Sequence, residues 1–368
     1  MYKADASNPY SSTTAMVGMV PNAIAQGASG TFRTGGQIPG LSVSSGTDYY
    51  VGTAGAITAT APIFARLLGT ADSTSSLILA PNPRIPAPLW NHICQGRLTL
   101  TTATPITTGD VTGATSIFFT PYAGANIALF DGTRWSLCTF TELTLALGTL
   151  TSGSPYDVFI FNNAGTLTLE SLAWTNATTR ATALVKQDGV LMKTGALTRR
   201  YLGTFVTTST TQTEDSVANR YLFNYYNRVI RNLKAVDTTN SWTYTTATWR
   251  STNASTTVGV ARVEVCIGWS EDLLVARSFA VAQGNAGGQQ IGSGVGIDAT
   301  STNSAETFGY FVGTGIFGTG IATYRGYPGV GYHFIQNLEI GDGTNSGTIY
   351  GDNGTVRMQT GLMVDIMA

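Results

Sequence analysis

Short apolar stretches that alternate with polar residues recur along most of this chain. In RLTL (97–100) and ELTLAL (142–147), for example, leucine occupies every second position. A period of two predicts strands with one buried face. Between residues 96 and 210 such stretches recur about every 8 to 12 residues, which is typical of a β-sandwich or barrel.

The same pattern returns after residue 240. Residues 258–282 hold two longer apolar stretches on either side of Ser270-Glu271-Asp272, and we predict one long hairpin there. We therefore predict a mainly β protein, built from several antiparallel β-sandwich or barrel modules in series.

One segment breaks the pattern. NRYLFNYYNRVIRNL (219–233) contains no Gly, Pro or Thr, and its apolar residues recur at helical spacing. It predicts a single α-helix over 216–235 that connects two β units and packs against a sheet or sister chains. Its arginines suit a polar subunit interface, whereas stacking on RNA would need supporting positive charge nearby. The interface residues expected from this helix are Leu222, Tyr225, Tyr226, Val229 and Leu233.

These elements divide the chain into five parts. Residues 1–45 have few large apolar side chains and cannot form a core alone, so we expect an irregular anchoring arm. The other parts are a small β module with a proline-rich connector (46–88), a central β-sandwich domain (89–215), the connecting helix (216–235) and a C-terminal β domain, expected to be distal (236–368).

Composition narrows the function classes. The chain has 368 residues, 43 of them Gly, only 11% charged residues and a net charge of −1. Without a basic excess, nucleic-acid binding is disfavoured. No apolar run reaches the roughly 18 residues of a membrane helix, and the N-terminal residues do not resemble a signal peptide. We expect synthesis in a reducing cytoplasm and no membrane insertion.

Chemistry-bearing motifs are weak throughout. GTGIFG (313–318) fits a dinucleotide loop literally, but no helix follows it. His92 and His333 are interpreted as structural, and Cys94, Cys138 and Cys266 as buried thiols without a disulfide or zinc site. Paired carboxylates for glycan hydrolysis would be Glu271 with Asp272, Glu339 with Asp342, or Asp352 with Asp365. We predict no catalytic residue, cofactor or metal.

Aromatic residues in the last third of the chain offer another kind of site. They lie in Thr- and Gly-rich, weakly charged segments, where exposed rings stack on sugars or protein partners, although they also fill cores and interfaces. They are Trp242, Tyr244, Trp249, Tyr324, Tyr327 and Tyr332, of which the first five are our candidate receptor contacts.

Residues 96–235 resemble a module found in tailed-bacteriophage virion proteins. The resemblance rests on DGTRW (131–135), YDVF (156–159), KTGALTRRYLGTF (193–205) and NRYLFNYYNRV (219–229). The preceding β module is similar to small domains of phage fibre and capsid-decorating proteins, and the segment from residue 331 onward looks like the closing domain of such proteins. The resemblance implies a virion surface component, commonly a trimer, and provides no catalytic residue.

The expected function is therefore a non-enzymatic virion structural protein, a short fibre or spike on the particle surface. Residues 1–45 would dock it to other virion proteins, sister chains would form a homotrimer, and the C-terminal domain would contact a host surface glycan or protein. One alternative is a head decoration or connector protein without receptor binding. Another is a glycan-depolymerising tailspike enzyme.

Overall fold

A computed structural model describes residues 19–20, 32–52, 56–60, 67–79, 89–133, 135–308, 314–355 and 357–368. These residues are organised as two compact units: the described parts of 1–92 with 133 and 135–136, and the described parts of 93–132 and 137–368. No α-helix occurs in the described ranges, only strands and two 3-10 turns, at Leu89–His92 and Thr252–Ala254. The predicted mainly β class is confirmed.

The first unit contains a five-stranded antiparallel sheet. Its strands are β1 (Gly36–Pro39), β2 (Asp48–Val51), β3 (Ile57–Thr58), β4 (Leu67–Ala71) and β5 (Ser76–Leu79), in the order β1-β5-β4-β2-β3. Alternate residues such as Ile38, Leu77 and Leu79 are buried in one small core.

The predicted irregular arm (1–45) is wrong where it overlaps this sheet. β1 pairs with β5, and the two strands place the buried Ile38 opposite Leu77. β1 has four residues and only one buried side chain, so its local sequence shows no clear alternation. The strand forms because it pairs with β5. Residues 1–18 and 21–31 of the arm, and the proline-rich connector at 81–88, lie outside the described residues.

The second unit contains 25 strands, β6 to β30, in five sheets. The first ten are β6 (Gly96–Thr99), β7 (Val111–Ala114), β8 (Ser116–Pro121), β9 (Asn126–Phe130), β10 (Trp135–Thr139, of which 137–139 belong to this unit), β11 (Leu143–Ala146), β12 (Pro155–Asn163), β13 (Thr166–Ala173), β14 (Leu184–Gln187) and β15 (Val190–Lys193). The next eight are β16 (Ala196–Val206), β17 (Thr213–Asp215), β18 (Asn219–Arg220), β19 (Leu222–Asn224), β20 (Ile230–Val236), β21 (Ser241–Tyr244), β22 (Arg250–Ser251) and β23 (Arg262–Ile267). The last seven are β24 (Leu274–Gln283), β25 (Gly292–Ile297), β26 (Glu306–Phe308), β27 (Phe317–Gly326), β28 (Gly331–Ile340), β29 (Gly347–Tyr350) and β30 (Gly361–Met367).

Two cores organise these strands. A six-stranded sheet, β13-β12-β16-β15-β14 with β19 beside β16, shares one core with the three-stranded sheet β11-β8-β6 and with β9. Phe119, Ile127, Val158 and Phe205 meet there, each essentially inaccessible to solvent.

The second core lies between two seven-stranded sheets. Sheet A has the order β22-β28-β23-β18-β17-β7 with β25 beside β28; sheet B has the order β20-β30-β24-β27-β26 with β29 beside β24 and β21 beside β29. Val265 and Ile335 of sheet A pack with Leu233 and Val364 of sheet B. This β-sandwich agrees with the predicted fold.

The predicted helix over 216–235 is wrong. Its residues form β18, β19 and β20. In β20, Arg231, Leu233 and Ala235 are buried while the residues between them are exposed, which is the alternation of a strand. Seven residues of β20 pair with β30, so sheet hydrogen bonds replace the predicted helical ones. Tertiary pairing overrides helical spacing here.

The predicted boundary between a central and a C-terminal domain is not observed. β7 and β17 belong to the predicted central domain, yet they lie in sheet A with β23 and β28 of the predicted C-terminal domain. Both predicted domains fall in the second unit.

Candidate functional site

The five residues expected on an interface helix do not share a surface. Leu222 lies in the core beneath the six-stranded sheet, and Leu233 in the core between sheets A and B. Tyr225 stacks edge-on against Trp269, with ring centroids 6.1 Å apart. The Tyr226 hydroxyl accepts a hydrogen bond from Arg200 Nε at 3.2 Å, and Val229 exchanges backbone hydrogen bonds of 3.1 Å with Ala368. These residues support the fold and do not form an exposed interface.

Three of the five candidate receptor aromatics belong to one structural cluster. The Trp242 indole donates a 2.8 Å hydrogen bond to Glu339, and the Arg250 guanidinium lies 3.8 Å from the centre of the Tyr244 ring. Trp249 packs over Gly292 and Gly294 of β25. Their rings are partly buried, so most of their surface is already used inside the protein.

The other two candidates differ from one another. Tyr324 lies opposite Ala276, on the inward side of sheet B, and packs against the sandwich core. Tyr327 follows the end of β27 and is 60% exposed. Of the five, only Tyr327 therefore presents a largely open ring.

Four apolar side chains lie on the outward side of sheet B, among charged residues such as Arg277 and Asp365. Cross-strand pairing places Ile321 beside Phe279, and Met363 beside Arg277. Ile321 is 36% exposed, Phe317 47% and Met363 55%. We call Phe279, Phe317, Ile321 and Met363 the apolar face. The alternation in β27 and β30 shows which residues share a side of each strand, but the sequence does not tell which of the two sides faces the core.

The carboxylate pairs considered for glycan hydrolysis are engaged in structural contacts. Glu271 and Asp272 both accept hydrogen bonds from Arg228. Glu339 is buried, which raises its pKa, although it accepts hydrogen bonds from Trp242, Arg250 and the Asn253 amide.

The remaining carboxylates of these pairs also have structural positions. Asp342 accepts backbone N–H groups of Thr344 and Asn345 within its own turn. Asp352 accepts the Gly354 N–H, and Asp365 is exposed on β30. One guanidinium thus bridges the first of the three pairs, and Asp342 and Asp352 each stabilise a turn.

His333 forms a pair with the carboxylate of Asp298. Its Nδ1 lies 2.7 Å from Asp298 Oδ2, and its buried Nε2 has no partner in the described part of the chain. Burial raises the pKa of Asp298, but the His333 ring and the Phe334 N–H together hold it below its usual value. A serine nucleophile would have to lie at Nε2; none of the described serines does.

No group of three metal-ligating side chains occurs in the described ranges. Within the same ranges, no helix has the length and apolar character needed to cross a membrane.

A second surface feature is an open cleft of about 510 Å³ in the second unit. It lies where the end of β16 meets the side of sheet A that carries Glu264, and its polar lining includes Thr207, Thr208, Asn219 and Glu264. Two tyrosines, Tyr221 and Tyr332, complete it. In the sequence, Asn219 and Tyr221 were placed on the predicted helix and Tyr332 among the aromatic candidates, and no pattern indicated the cleft, because five distant segments contribute to it.

The thiols yield a small prediction of their own. Cys94 and Cys266 are buried and Cys138 is half-buried. Burial raises the pKa of Cys94 to about 11, although the charge of Arg200 opposes the shift. At pH 8 only about one Cys94 in 1,000 would then be a thiolate. We expect Ellman's reagent to label at most Cys138 within minutes, and all three thiols in urea. Three rapid equivalents from the folded protein would contradict this burial.

No protein-family model and no curated protein matches the sequence. Solved structures show only distant likeness. A β-porphyranase of glycoside hydrolase family 86 from Bacteroides plebeius is 10% identical, with a TM-score of 0.22 over 66% of this chain and 36% of its own. A protein in a structure of infectious bursal disease virus, Gx strain, is 11% identical, with a TM-score of 0.19 over 71% of this chain and 74% of its own.

A third structure, a Bacillus thuringiensis Cry1Da tryptic core variant, is 8% identical, with a TM-score of 0.17 over 70% of this chain and 48% of its own. The chain thus spans about a third of the porphyranase. At these TM-scores the likenesses support no statement about function.

Proposed function

We propose that the chain is a structural protein of a bacteriophage particle, a short fibre or spike that associates with copies of itself and has no catalytic role. The proposal rests on the resemblance of residues 96–235 to phage virion modules and is supported by the mainly β fold. The observation that supports association with copies of itself is the apolar face of sheet B.

An apolar face of this kind is costly to leave in water. Phe317, Ile321 and Met363 are each more than a third exposed, and Phe279 lies between β27 and β30 on the same side. Contiguous apolar patches on soluble proteins commonly mark interaction surfaces. A second copy of the chain is the proposed occupant, because closed symmetric assembly is the usual way in which such a face is covered.

Sedimentation equilibrium at micromolar concentration tests self-association. We expect a mass near three chains of 38.7 kDa each. The double variant Ile321→Glu, Met363→Glu should shift that mass toward one chain, because two carboxylates would have to lose their hydration in the contact, and only residue 363 has a cation, Arg277, beside it. Val185→Glu is the matched control: Val185 is 39% exposed, but on β14, outside the apolar face. A monomeric wild type, or a double variant that assembles as well as the control, contradicts the proposal.

Location on the particle is a separate test. Antibodies against the chain should label the surface of intact phage particles, and labelling of the tail would favour the fibre or spike over a head decoration protein. Absence of the chain from purified particles would refute the structural role itself.

A further inference from the structure

The cleft at Glu264 contains a buried carboxylate held mainly by phenols. Glu264 is 8% exposed and accepts a hydrogen bond from the Tyr221 hydroxyl. Its nearest guanidinium nitrogen, on Arg262, is 4.0 Å away, and that side chain instead donates to Gln336 at 3.0 Å. A carboxylate has about four acceptor positions, so Glu264 keeps capacity for further donors.

The two tyrosines are held as neutral donors. Burial raises the pKa of both Tyr221 and Tyr332, and the negative charge of Glu264 raises it further. Their ring centroids are 6.2 Å apart and the planes are inclined by 50°. Tyr221 is only 7% exposed and belongs to the sandwich core, so its hydroxyl orients Glu264 while its ring stays buried. Tyr332 is half-buried and combines a polar end at Glu264 with an apolar ring beside the cleft, which is the kind of amphipathic surface that stacks on the C–H face of a sugar ring.

Local pairing fixes the carboxylate in place. β18 runs parallel to β23 and puts Asn219 opposite Glu264, whose N–H donates to Ala218 at 3.0 Å. At the other side, the Thr207 hydroxyl is anchored on Thr151 O at 2.6 Å, while the neighbouring Thr208 is exposed. The site is thus preformed on strands, with Thr208 at its open side.

The charged side chains that line the cleft indicate which class of ligand it can bind. Among the described residues that line the cleft there is no Lys or Arg, so phosphate, sulfate and nucleic acid have no cation to bind. The Glu264 charge repels other anions. The cleft, of about 510 Å³, is open to solvent, so a ligand would bind at the surface. Hydroxyl groups that donate to a carboxylate, together with a ring face that stacks on tyrosine, are properties of saccharides.

We propose that this cleft binds a neutral saccharide of one or two rings, with Glu264 accepting ligand hydroxyl groups, Tyr221 orienting Glu264 from the core, and Tyr332 lying beside the sugar. This inference rests on the proposed function and specifies the class of host ligand that the C-terminal part of the chain would bind. It is independent of self-association, so loss of sugar binding from an intact oligomer would refute this inference alone.

Calorimetric titration of the full chain with a panel of neutral disaccharides, namely lactose, maltose, cellobiose and N,N′-diacetylchitobiose, tests the site. We expect saturable binding of at least one of them, with a Kd at or below about 1 mM. Glucose 6-phosphate and glucuronic acid, which add an anionic group, should bind at least tenfold more weakly than the best neutral sugar. No saturable binding of any neutral disaccharide up to 10-fold above that concentration would overturn the proposal, as would a preference for the anionic sugars.

Variants locate the binding. Thr208→Arg places a long side chain in the open side of the cleft and should abolish binding. Thr210→Arg is its matched control, since Thr210 is equally exposed but does not line the cleft. Glu264→Gln keeps the volume of the side chain and should weaken binding at least tenfold. If Thr208→Arg binds sugar as well as Thr210→Arg does, the sugar binds elsewhere and the assignment is wrong.

Discussion

Replacing Asp215 with alanine is expected to destabilise the second unit by about 3–5 kcal/mol, because it leaves buried cations without their partner. Asp215 accepts from Arg220 Nη1 at 3.1 Å and from Arg231 Nη2 at 2.8 Å. All three side chains are almost inaccessible to solvent. One carboxylate thus serves two guanidinium groups, and the charge of Arg97 acts on the same cluster.

The midpoint of urea unfolding, followed by tryptophan fluorescence at fixed protein concentration, measures this loss. Asp365→Ala is the control, since Asp365 is exposed on β30, and it should change stability by no more than about 0.5 kcal/mol. Replacing Asp215, Arg220 and Arg231 together with leucine or methionine should recover most of the stability, because no buried charge remains. Equal stability of Asp215→Ala and Asp365→Ala would show that the arginines are not buried.

The same cluster helps to explain why the segment 219–233 forms strands and not the predicted helix. Arg220 and Arg231 were expected at a polar subunit interface of the predicted helix. Both point instead to a carboxylate outside the segment, and Arg220 also donates to Asn232 O at 3.1 Å. The apolar residues at helical spacing belong to two different cores. Neither fact is encoded in the local pattern.

Alternation and turn residues predict a hairpin correctly only where two strands that follow one another in sequence also pair with one another. β12 and β13, for example, form a hairpin around the turn NNAG (162–165), with eight residue pairs in register. The predicted hairpin over 258–282 is wrong, although both strands exist. β23 pairs with β28 in sheet A and β24 with β27 and β30 in sheet B, so the chain crosses the sandwich between them. Alternation locates strands, but it does not choose their partners.

The candidate sites were less predictable for the same reason. Trp242 and Tyr324 look like exposed rings in Thr-rich sequence, yet one donates to a buried Glu339 and the other faces the core. Conversely, Glu264 lies in an apolar strand and showed no signal of a site. Its neighbours Tyr221 and Tyr332 are 43 and 68 residues away in sequence, respectively, and only the sheet A pairing brings them together.

Replacing Gly203 with valine should destabilise the second unit by about 3 kcal/mol, through overpacking. Gly203 is the glycine of RRYLGTF (199–205), and a Cβ built on it would lie 2.1 Å from the backbone oxygen of Phe223 and 2.9 Å from Leu98 Cδ1. Backbone oxygen cannot rotate away as a side chain can. β16 also shifts register against β12 at this point, and it pairs on its other edge with β19, where Gly203 lies opposite Asn224.

Gly109→Val provides the matched control for this substitution. Gly109 is exposed, and a Cβ there would meet nothing within 4 Å. The control should change the urea midpoint little, since both variants add the same side chain and differ only in the space around it. If Gly203→Val unfolds at the same urea concentration as Gly109→Val, then β19 does not lie against β16 as described. The strand assignment of 222–224, which replaces the predicted helix, would then lose its support.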